Sequence, residues 1–328
     1  MTCVLLVGAG PMAQAYLSAL RITHPGVSVQ VAGRSAESAA RFAAQTGVTP
    51  TTGPLAEQLA KLDREVKTAI VAVQVDLLPA VTKQLLDAGF ERVLLEKPGA
   101  PTVEQAADLA KSDPEDRIRI AYNRRFLTSS QYVRRAIEAE GGVTSFSFEF
   151  TEVEERIAAT RHAALVKANW ALANSSHVMD MAFDLAASAE DLSDVTVSAA
   201  LSSGHIDWHP RGARFAGCGS VGDKTLFSYT ADWKSGGGWA VELVTAERRF
   251  IMRPLETVIV QPKGSFTRSQ VDVPAEEAGL KPGLPGMLRC FLDGDQSAGS
   301  LPTAREQARR MTVFDSLLGS QSRNSSAA

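Results

Sequence analysis

The 328-residue sequence has few cysteines and no long apolar run. Cys3, Cys218 and Cys290 are odd in number, far apart and in no CxxC pair, which argues against a disulfide scaffold and against a metal site of the zinc type. No apolar run approaches the roughly 20 residues that cross a bilayer. The opening MTCVLLVGAG also lacks the basic n-region of a signal peptide. We therefore expect a cytoplasmic protein with no metal and no membrane partner.

The sequence also has no large excess of positive or negative charge. Lys and Arg number 34 and Asp and Glu number 37, so the net charge is −3. This balance argues against nucleic-acid binding through bulk charge, although it leaves a local basic patch open. Apolar residues make up 45% and charged residues 22%, which argues against an intrinsically disordered chain. The length predicts about two domains.

Apolar runs alternate with helical patterns through the first third of the chain. This alternation is typical of a parallel sheet with helices on both faces. The sequence thus predicts an α/β fold that begins with a doubly wound Rossmann domain over residues 1–122. Its predicted strands are 3–7, 27–31, 68–73, 92–95 and 118–121, and its predicted helices are 11–21, 35–46, 77–88 and one that opens at Thr102.

The second half is rich in β-type runs joined by short turns. Phe146, Phe148 and Phe150 alternate with polar residues, as in a half-buried strand. Consecutive strands with short connections predict an α+β domain over residues 123–319 with a mostly antiparallel open sheet, followed by a flexible tail at 320–328. The further predicted strands are 195–201, 225–232, 239–245, 250–252 and 257–261, and the late helices are 285–292 and 304–318.

A glycine-rich turn lies between the first predicted strand and the first predicted helix. The segment Val7-Gly8-Ala9-Gly10-Pro11-Met12-Ala13 has the form G-x-G-x-x-A. Gly8 permits the tight turn, Gly10 lets the backbone approach a pyrophosphate, and Ala13 allows close packing of the helix on the strand. Pro11 suits the first helical position, and the helix N-terminus faces the phosphates. Because the strand–turn–helix context is complete, the pattern predicts dinucleotide binding.

The end of the second predicted strand bears on the choice of dinucleotide. NAD-binding versions usually place Asp or Glu there to hold the ribose 2′-hydroxyl, whereas this chain has Ala32-Gly33-Arg34-Ser35. A guanidinium and a hydroxyl suit a 2′-phosphate. We therefore predict NADP, with NAD as the alternative if Arg34 is a solvated loop residue.

A second motif follows the predicted strand 92–95. Glu96-Lys97-Pro98 lies at the carboxyl end of the sheet, where ligands of open α/β sheets bind. Together with the glycine turn, the segment YNRRF at 122–126, His177-Val178-Met179-Asp180 and Lys281-Pro282-Gly283, this motif resembles the glucose–fructose oxidoreductase / inositol dehydrogenase / MocA family of NAD(P)-dependent oxidoreductases. The resemblance spans nearly the whole chain.

The resemblance implies site residues as well as a fold. It implies that Lys97 lies near the nicotinamide and the substrate hydroxyl, and that His177 is an acid/base in the second domain. Taken alone, Lys97 could be a surface charge, His177 a helix cap or core residue, and Asp180 either an orienting partner of His177 or a structural residue. The candidate cofactor-binding residues are Gly8, Gly10, Pro11, Met12, Ala13, Arg34, Ser35, Val73, Gln74, Glu96 and Pro98.

The sequence departs from the family at two places. Many relatives carry Asp four residues before the histidine, where this chain has Ala173, and Asn174 beside it cannot act as a base. Val73-Gln74 stands where many relatives have Thr-Pro. Both departures leave the substrate open. The predicted substrate-binding residues are Asn123, Arg125, Lys167 and Asn174. Arg124 is either a surface charge or a further residue that binds an anionic group of the substrate.

These observations predict an enzyme that moves hydride between NADP(H), or NAD(H), and a hydroxyl or ketone carbon of a sugar, cyclitol or nucleotide-sugar. Lys97 and His177 would manage the proton. Two alternatives stay open: a relative that uses bound cofactor transiently in an elimination or hydrolysis, and a non-catalytic nucleotide-binding sensor. The resemblance also implies a homodimer or homotetramer.

Overall fold

A computed structural model describes residues 3–187 and 192–321 of the chain. The described residues divide into two compact units that are not continuous in sequence. The first unit contains the residues up to Phe126 and also Glu276–Ala308, whereas the second contains Leu127–Ala275 and the residues from Arg309 onward. The linear division into 1–122, 123–319 and 320–328 stays a prediction, and 322–328 lie outside the described residues.

The first unit is built on five strands among the described residues: β1 (Cys3–Val7), β2 (Ser28–Ala32), β3 (Thr68–Val71), β4 (Arg92–Glu96) and β5 (Ile118–Ala121). They form a parallel sheet, as the strand–helix alternation of the sequence predicts, in the order β2-β1-β3-β4-β5. The helices are α1 (Pro11–Thr23), α2 (Ala36–Thr46), α3 (Leu55–Leu59), α4 (Leu78–Asp87) and α5 (Val103–Lys111).

Both faces of this sheet are buried. Leu6 of β1 and Leu94 of β4 belong to one apolar cluster with α1, whereas Val7 and Leu95 belong to the other with α4 and α5. Successive side chains of a strand point to opposite faces, so a strand covered on both sides must be apolar at every position. This arrangement explains the continuous apolar runs and confirms the doubly wound Rossmann domain.

The second unit contains nine strands among the described residues: β6 (Ser145–Phe150), β7 (Val195–Ser203), β8 (Arg214–Val221), β9 (Thr225–Asp232), β10 (Trp239–Val244), β11 (Arg248–Met252), β12 (Val258–Pro262), β13 (Ser269–Val271) and β14 (Ser320–Gln321). They form one sheet in the order β13-β12-β11-β10-β6-β9-β8-β7-β14. Neighbouring strands are antiparallel except for the pairs β6–β9 and β7–β14, which are parallel. The predicted α+β domain with a mostly antiparallel sheet is confirmed.

One face of this sheet is covered by helices. The ring of Phe183 lies 5.4 Å from that of Phe146 and 5.8 Å from that of Phe148, so the alternating phenylalanines face the covering helix. The α-helices that follow Phe126 in the described chain are α6 (Thr128–Ala139), α7 (Glu154–Ala158), α8 (Ala164–Ala168), α9 (Ser176–Ala187), α10 (Leu284–Asp293) and α11 (Ala304–Leu317). Helix α10 packs in the first unit, and α11 begins in the first unit and ends in the second.

The sequence did not predict β8, because Gly217 and Gly219 interrupt its apolar pattern. The structure gives these glycines a packing role, since a Cβ at Gly219 would lie 2.6 Å from the ring of Phe227. The predicted capping box of α11 is present: the Thr303 N–H donates to Glu306 at 2.7 Å and the Glu306 N–H to Thr303 Oγ1 at 3.1 Å. None of the described helices has the length and apolar character that crossing a bilayer requires.

Candidate functional site

The glycine-rich turn is held between the ends of two neighbouring strands. The Gly8 N–H donates to the Ala32 carbonyl at 2.8 Å, and the Ala72 N–H donates to the Val7 carbonyl at 2.8 Å. Gly8 has φ of +127°, and a Cβ at this position would clash with the carbonyl group of Ala72. Glycine is therefore required here both for the backbone conformation and for the close approach of the strands.

The next glycine opens onto free space. Gly10 is the N-cap of α1 with an extended backbone (φ −97°), and no side chain caps the helix. A Cβ at Gly10 would meet no atom within 4 Å among the described residues. Pro11 occupies the first turn, and Ala13 is fully buried against the sheet. An uncapped helix N-terminus with room beside its backbone fits the diphosphate of a dinucleotide.

The loop after β2 presents an arginine to solvent. The Gly33 N–H donates to the Thr51 carbonyl at 2.8 Å, and Gln58 Nε2 donates to the Gly33 carbonyl at 3.0 Å, so the loop backbone is fixed. Arg34 is exposed and makes no hydrogen bond or ion pair within residues 3–187 and 192–321. Ser35 caps α2, its Oγ accepting from the Ser38 N–H at 3.3 Å. Its hydroxyl thus already serves the helix, whereas the guanidinium of Arg34 is available to a ligand.

Glu96, at the end of β4, has a hydrogen-bond donor from α1. Tyr16 is fully buried and its hydroxyl donates to Glu96 Oε1 at 2.7 Å. Burial raises the pKa of the Glu96 carboxyl, while the Tyr16 hydrogen bond and the nearby Lys97 and Lys281 cations act against this rise. Burial also raises the pKa of Tyr16, and the Glu96 charge adds to the effect. The tyrosine therefore stays protonated and donates to the carboxyl.

The backbone around Lys97 is fixed from a distant part of the sequence. The Lys97–Pro98 peptide bond is cis, and the Gly99 N–H donates to the Glu96 carbonyl at 3.0 Å. Gln307 of α11 donates to the Pro98 carbonyl at 2.9 Å and to the Tyr122 hydroxyl at 3.0 Å. Sequence reasoning missed Gln307, because no local pattern links it to a turn about 200 residues earlier in the chain.

Lys281 is a second residue that sequence reasoning did not assign. Its Nζ lies 2.8 Å from the Sδ of Met12, in the first turn of α1. Desolvation of the ammonium lowers the pKa of Lys281, and the charge of Glu96 opposes this shift. In the sequence, the Lys281-Pro282-Gly283 segment stands out only through the family resemblance. The structure places this cation beside the uncapped end of α1.

The first unit also contains two predicted cofactor-binding residues after β3 and two predicted substrate-binding residues after β5. Val73 and Gln74 follow β3 directly, next to Ala72, which contacts the glycine turn. Asn123 Nδ2 donates to the Pro282 carbonyl at 2.8 Å, and Arg125, only 2% exposed, donates to the Ser300 carbonyl at 3.1 Å. Both of these last contacts hold the segment that returns to the first unit, and the substrate-binding role of the two residues stays a prediction.

His177 is the second residue of α9 in the second unit. It is buried, and its ring centre lies 5.9 Å from that of Trp239 at the start of β10. Asp180, one turn further on, lies 3.3 Å from the guanidinium of Arg310, and both are 1% exposed. This buried ion pair agrees with the structural interpretation of Asp180.

The segment before His177 is a π-helical turn, Ala171–Ser175. Asn174 Nδ2 donates to Glu152 Oε1 at 3.0 Å, so the predicted substrate residue faces a carboxylate that no motif indicated. Lys167 Nζ donates to the Ala158 carbonyl at 2.8 Å. Within the second unit, Asn174 lies in the turn that leads to His177 and binds Glu152. Lys167 instead binds the last residue of α7.

Comparison with known proteins supports the sequence resemblance. Residues 3–122 match the family described as an oxidoreductase family with a NAD-binding Rossmann fold. No curated protein matches the sequence. The fold of the whole chain is similar to that of levoglucosan dehydrogenase in complex with NADH and levoglucosan, with 17% identity, coverage of 97% of this chain and 96% of that chain, and a TM-score of 0.75.

Two further solved structures share this fold. UDP-N-acetylglucosamine 3-dehydrogenase from Acidithiobacillus ferrooxidans is 16% identical, with 96% of both chains covered and a TM-score of 0.73. An oxidoreductase from Agrobacterium radiobacter in complex with NAD+, L-tartaric acid and magnesium is 14% identical, with 96% of this chain and 94% of that chain covered and a TM-score of 0.74. The family match covers residues 3–122, which agrees with the resemblance of this part of the chain to the glucose–fructose oxidoreductase / inositol dehydrogenase / MocA family.

Proposed function

We propose that this protein is an NAD(P)-dependent dehydrogenase that transfers hydride between a nicotinamide cofactor and a hydroxyl or ketone carbon of a sugar, cyclitol or nucleotide-linked sugar. One observation carries the proposal: the open space at Gly10 and the uncapped end of α1 lie at the same sheet edge as Glu96 and Lys97. In parallel sheets this edge binds the ligand. Levoglucosan and UDP-N-acetylglucosamine, the sugars in the names of two similar structures, support the substrate class.

The chemistry of the proposal divides among three groups. A bound nicotinamide supplies the hydride acceptor or donor. We assign to the Lys97 ammonium the stabilisation of the negative charge that develops on the substrate oxygen. We assign to the His177 imidazole the removal of the hydroxyl proton during oxidation and its return during reduction. Oxidation of the alcohol then gives one hydride to the cofactor and one proton to the imidazole.

We also propose that the enzyme prefers NADP(H). Arg34 is exposed just after β2, and the residues on either side of it, from Ala32 to Ala36, include no carboxylate; the first acidic residue is Glu37, in the first turn of α2. An arginine pairs with a phosphate through charge-assisted hydrogen bonds. NAD is the alternative, and it would leave Arg34 without a role in binding.

The cofactor choice is tested by the affinities of Arg34→Ala for NADPH and NADH, measured by nucleotide fluorescence. Loss of a charged hydrogen bond of about 1.5–3 kcal/mol weakens NADPH binding about 10- to 150-fold. The affinity for NADH should stay within about twofold of wild type, since NADH lacks the 2′-phosphate that Arg34 is proposed to bind. Arg41→Ala is the matched control, because Arg41 is an exposed arginine of α2, the helix that follows the Arg34 loop, and it pairs with Glu37 at 3.6 Å. A wild-type preference for NADH that ignores Arg34→Ala refutes the assignment.

The reaction is tested by following nicotinamide absorbance with a panel of sugars, cyclitols and nucleotide-sugars. Lys97→Ala should reduce kcat by at least about 100-fold while the affinity for cofactor changes little. Lys83→Ala serves as the control, since Lys83 is an exposed residue of α4 paired with Asp87 at 3.3 Å. Full turnover in Lys97→Ala removes Lys97 from the mechanism. Product formed without net nicotinamide change would instead indicate an elimination or hydrolysis, and binding without turnover would indicate a sensor.

We further propose a cytoplasmic homodimer or homotetramer. The face of the nine-stranded sheet opposite α9 carries Leu226, which is 63% exposed although it neighbours the buried Phe227. A single exposed leucine also occurs on monomeric proteins, so the proposal rests on the family resemblance, which implies a homo-oligomer. Light scattering on the purified protein would test this proposal, and a monomer at micromolar concentration would refute it.

A further inference from the structure

The carboxylate of Glu152 contacts the helical turn that leads to His177. Asn174 Nδ2 and Ser175 Oγ both donate to Glu152 Oε1, at 3.0 Å and 2.7 Å. Ser175 is fully buried, whereas Glu152 and Asn174 are half-buried. One carboxylate oxygen is therefore bound by two donors from the helix while the residue keeps access to solvent.

The chain around Glu152 is fixed by the sheet. The indole N–H of Trp233 donates to the Phe150 carbonyl at 3.2 Å, and the Asp232 N–H donates to Thr151 Oγ1 at 3.1 Å. These bonds hold the two residues that lead from the end of β6 to Glu152. The chain that leads to Glu152 is thus held by the sheet.

The same end of the sheet carries the partner of His177. Trp239 lies opposite Phe150 in the β6–β10 ladder, and its ring contacts the His177 ring at 5.9 Å between centres. Glu152 follows Phe150 by two residues, a reach of at most about 7 Å along the chain. Glu152 is thus linked to His177 indirectly, on the helix through Asn174 and Ser175 and on the sheet through Phe150 and Trp239.

The helix has an irregular turn where it meets this carboxylate. The π-helical turn Ala171–Ser175 adds one residue per turn relative to an α-helix, and it contains both donors to Glu152. Such turns are rare and occur frequently at functional sites. The turn contains no acidic residue of its own, and the carboxyl group that it contacts belongs to Glu152, two residues after the end of β6.

From this geometry we infer that Glu152 is a specificity-determining residue that accepts a hydrogen bond from a second hydroxyl group of the substrate, adjacent to the one that reacts. A carboxylate has about four acceptor positions, so a substrate hydroxyl can donate to it alongside Asn174 and Ser175. Such an acceptor selects substrates with neighbouring hydroxyl groups, because a deoxy analogue leaves the carboxylate without that donor. The inference rests on the proposed function, since it concerns the substrate of the reaction assigned to Lys97 and His177.

The test compares Glu152→Gln with wild type on D-glucose, myo-inositol, UDP-glucose and their monodeoxy analogues. The amide oxygen of Gln can still accept from Asn174 and Ser175, so the fold and the affinity for NADPH should be unchanged. In wild type, loss of the adjacent hydroxyl should lower kcat/KM about tenfold or more. In Glu152→Gln, kcat/KM for the parent substrate should fall by a similar factor, mainly because KM rises. The ratio of kcat/KM between the parent and the deoxy compound should then shrink to about twofold.

Glu155→Gln is the matched control, because Glu155 is an exposed residue of α7 only three positions away. It should keep both the wild-type kcat/KM and the wild-type discrimination. A Glu152→Gln variant that retains full discrimination refutes the inference and leaves the proposed function standing. Absence of turnover by the wild type on every compound refutes the proposed function itself, whereas unchanged turnover in Glu152→Gln refutes only the role of Glu152.

Discussion

Replacing Gly10 by alanine should separate cofactor binding from folding. The backbone of Gly10, with φ −97° and ψ −176°, is one that any residue adopts, and its added Cβ would meet no described atom within 4 Å. The new methyl group would point into the space where we place the diphosphate. Gly10→Ala should therefore fold normally and bind the cofactor poorly.

The size of each effect follows from this geometry. A glycine-to-alanine change at a compatible position stabilises a protein by about 0.4–1 kcal/mol through the unfolded chain, so Tm should rise by no more than about 4 °C. A methyl group between backbone and diphosphate removes charge-assisted hydrogen bonds of about 1.5–3 kcal/mol. That loss corresponds to a Kd for NADPH about 10- to 150-fold higher.

Gly8→Ala gives the opposite result and serves as the comparison. Its φ of +127° and the clash with the Ala72 carbonyl group both disfavour a side chain. The backbone conformation alone costs about 1–3 kcal/mol, so Gly8→Ala should lower Tm before any ligand is added. Thermal melts and nucleotide fluorescence on both variants provide the assay. A Gly10→Ala protein that binds NADPH within about twofold of wild type would refute the placement of the diphosphate.

Three further predictions concern stability. Tyr16→Phe removes the buried donor to Glu96 and should lower the free energy of unfolding by about 1–3 kcal/mol, measured by denaturant titration. Burial raises the Glu96 pKa above its ordinary value of 4.5, so the folded state binds more protons than the unfolded state in the interval between the two pKa values. The contribution of Glu96 to stability is therefore full below about pH 4.5 and is lost as pH rises through the folded pKa. In thermal melts from pH 4 to 8, the stability of Glu96→Gln relative to wild type should therefore increase across that interval. Stability curves of the two proteins that run parallel with pH would contradict this. Thr303→Ala removes the N-cap of α11 and should lower stability by about 1 kcal/mol in the same melts.

Several parts of the fold were predictable because their signals are local. The strand Cys3–Val7, the turn at Gly8 and the start of α1 at Pro11 lie within a few residues of one another, so sequence spacing alone predicts them. The capping box at Thr303 is likewise a four-residue pattern. The strand β8 was not predictable from such a pattern, because Gly217 and Gly219 make room for side chains of neighbouring strands.

The amino-acid sequence by itself determined the doubly wound first domain, the mostly antiparallel second sheet and the position of the glycine-rich turn, since each depends on periodicity or on a backbone conformation that few residues allow. Only the tertiary structure decided which distant groups meet. Gln307 reaches the Pro98 carbonyl, Lys281 reaches Met12, and Glu152 reaches Asn174 across separations of 209, 269 and 22 residues. Such contacts arise from the packing of whole elements, which no short stretch of sequence encodes.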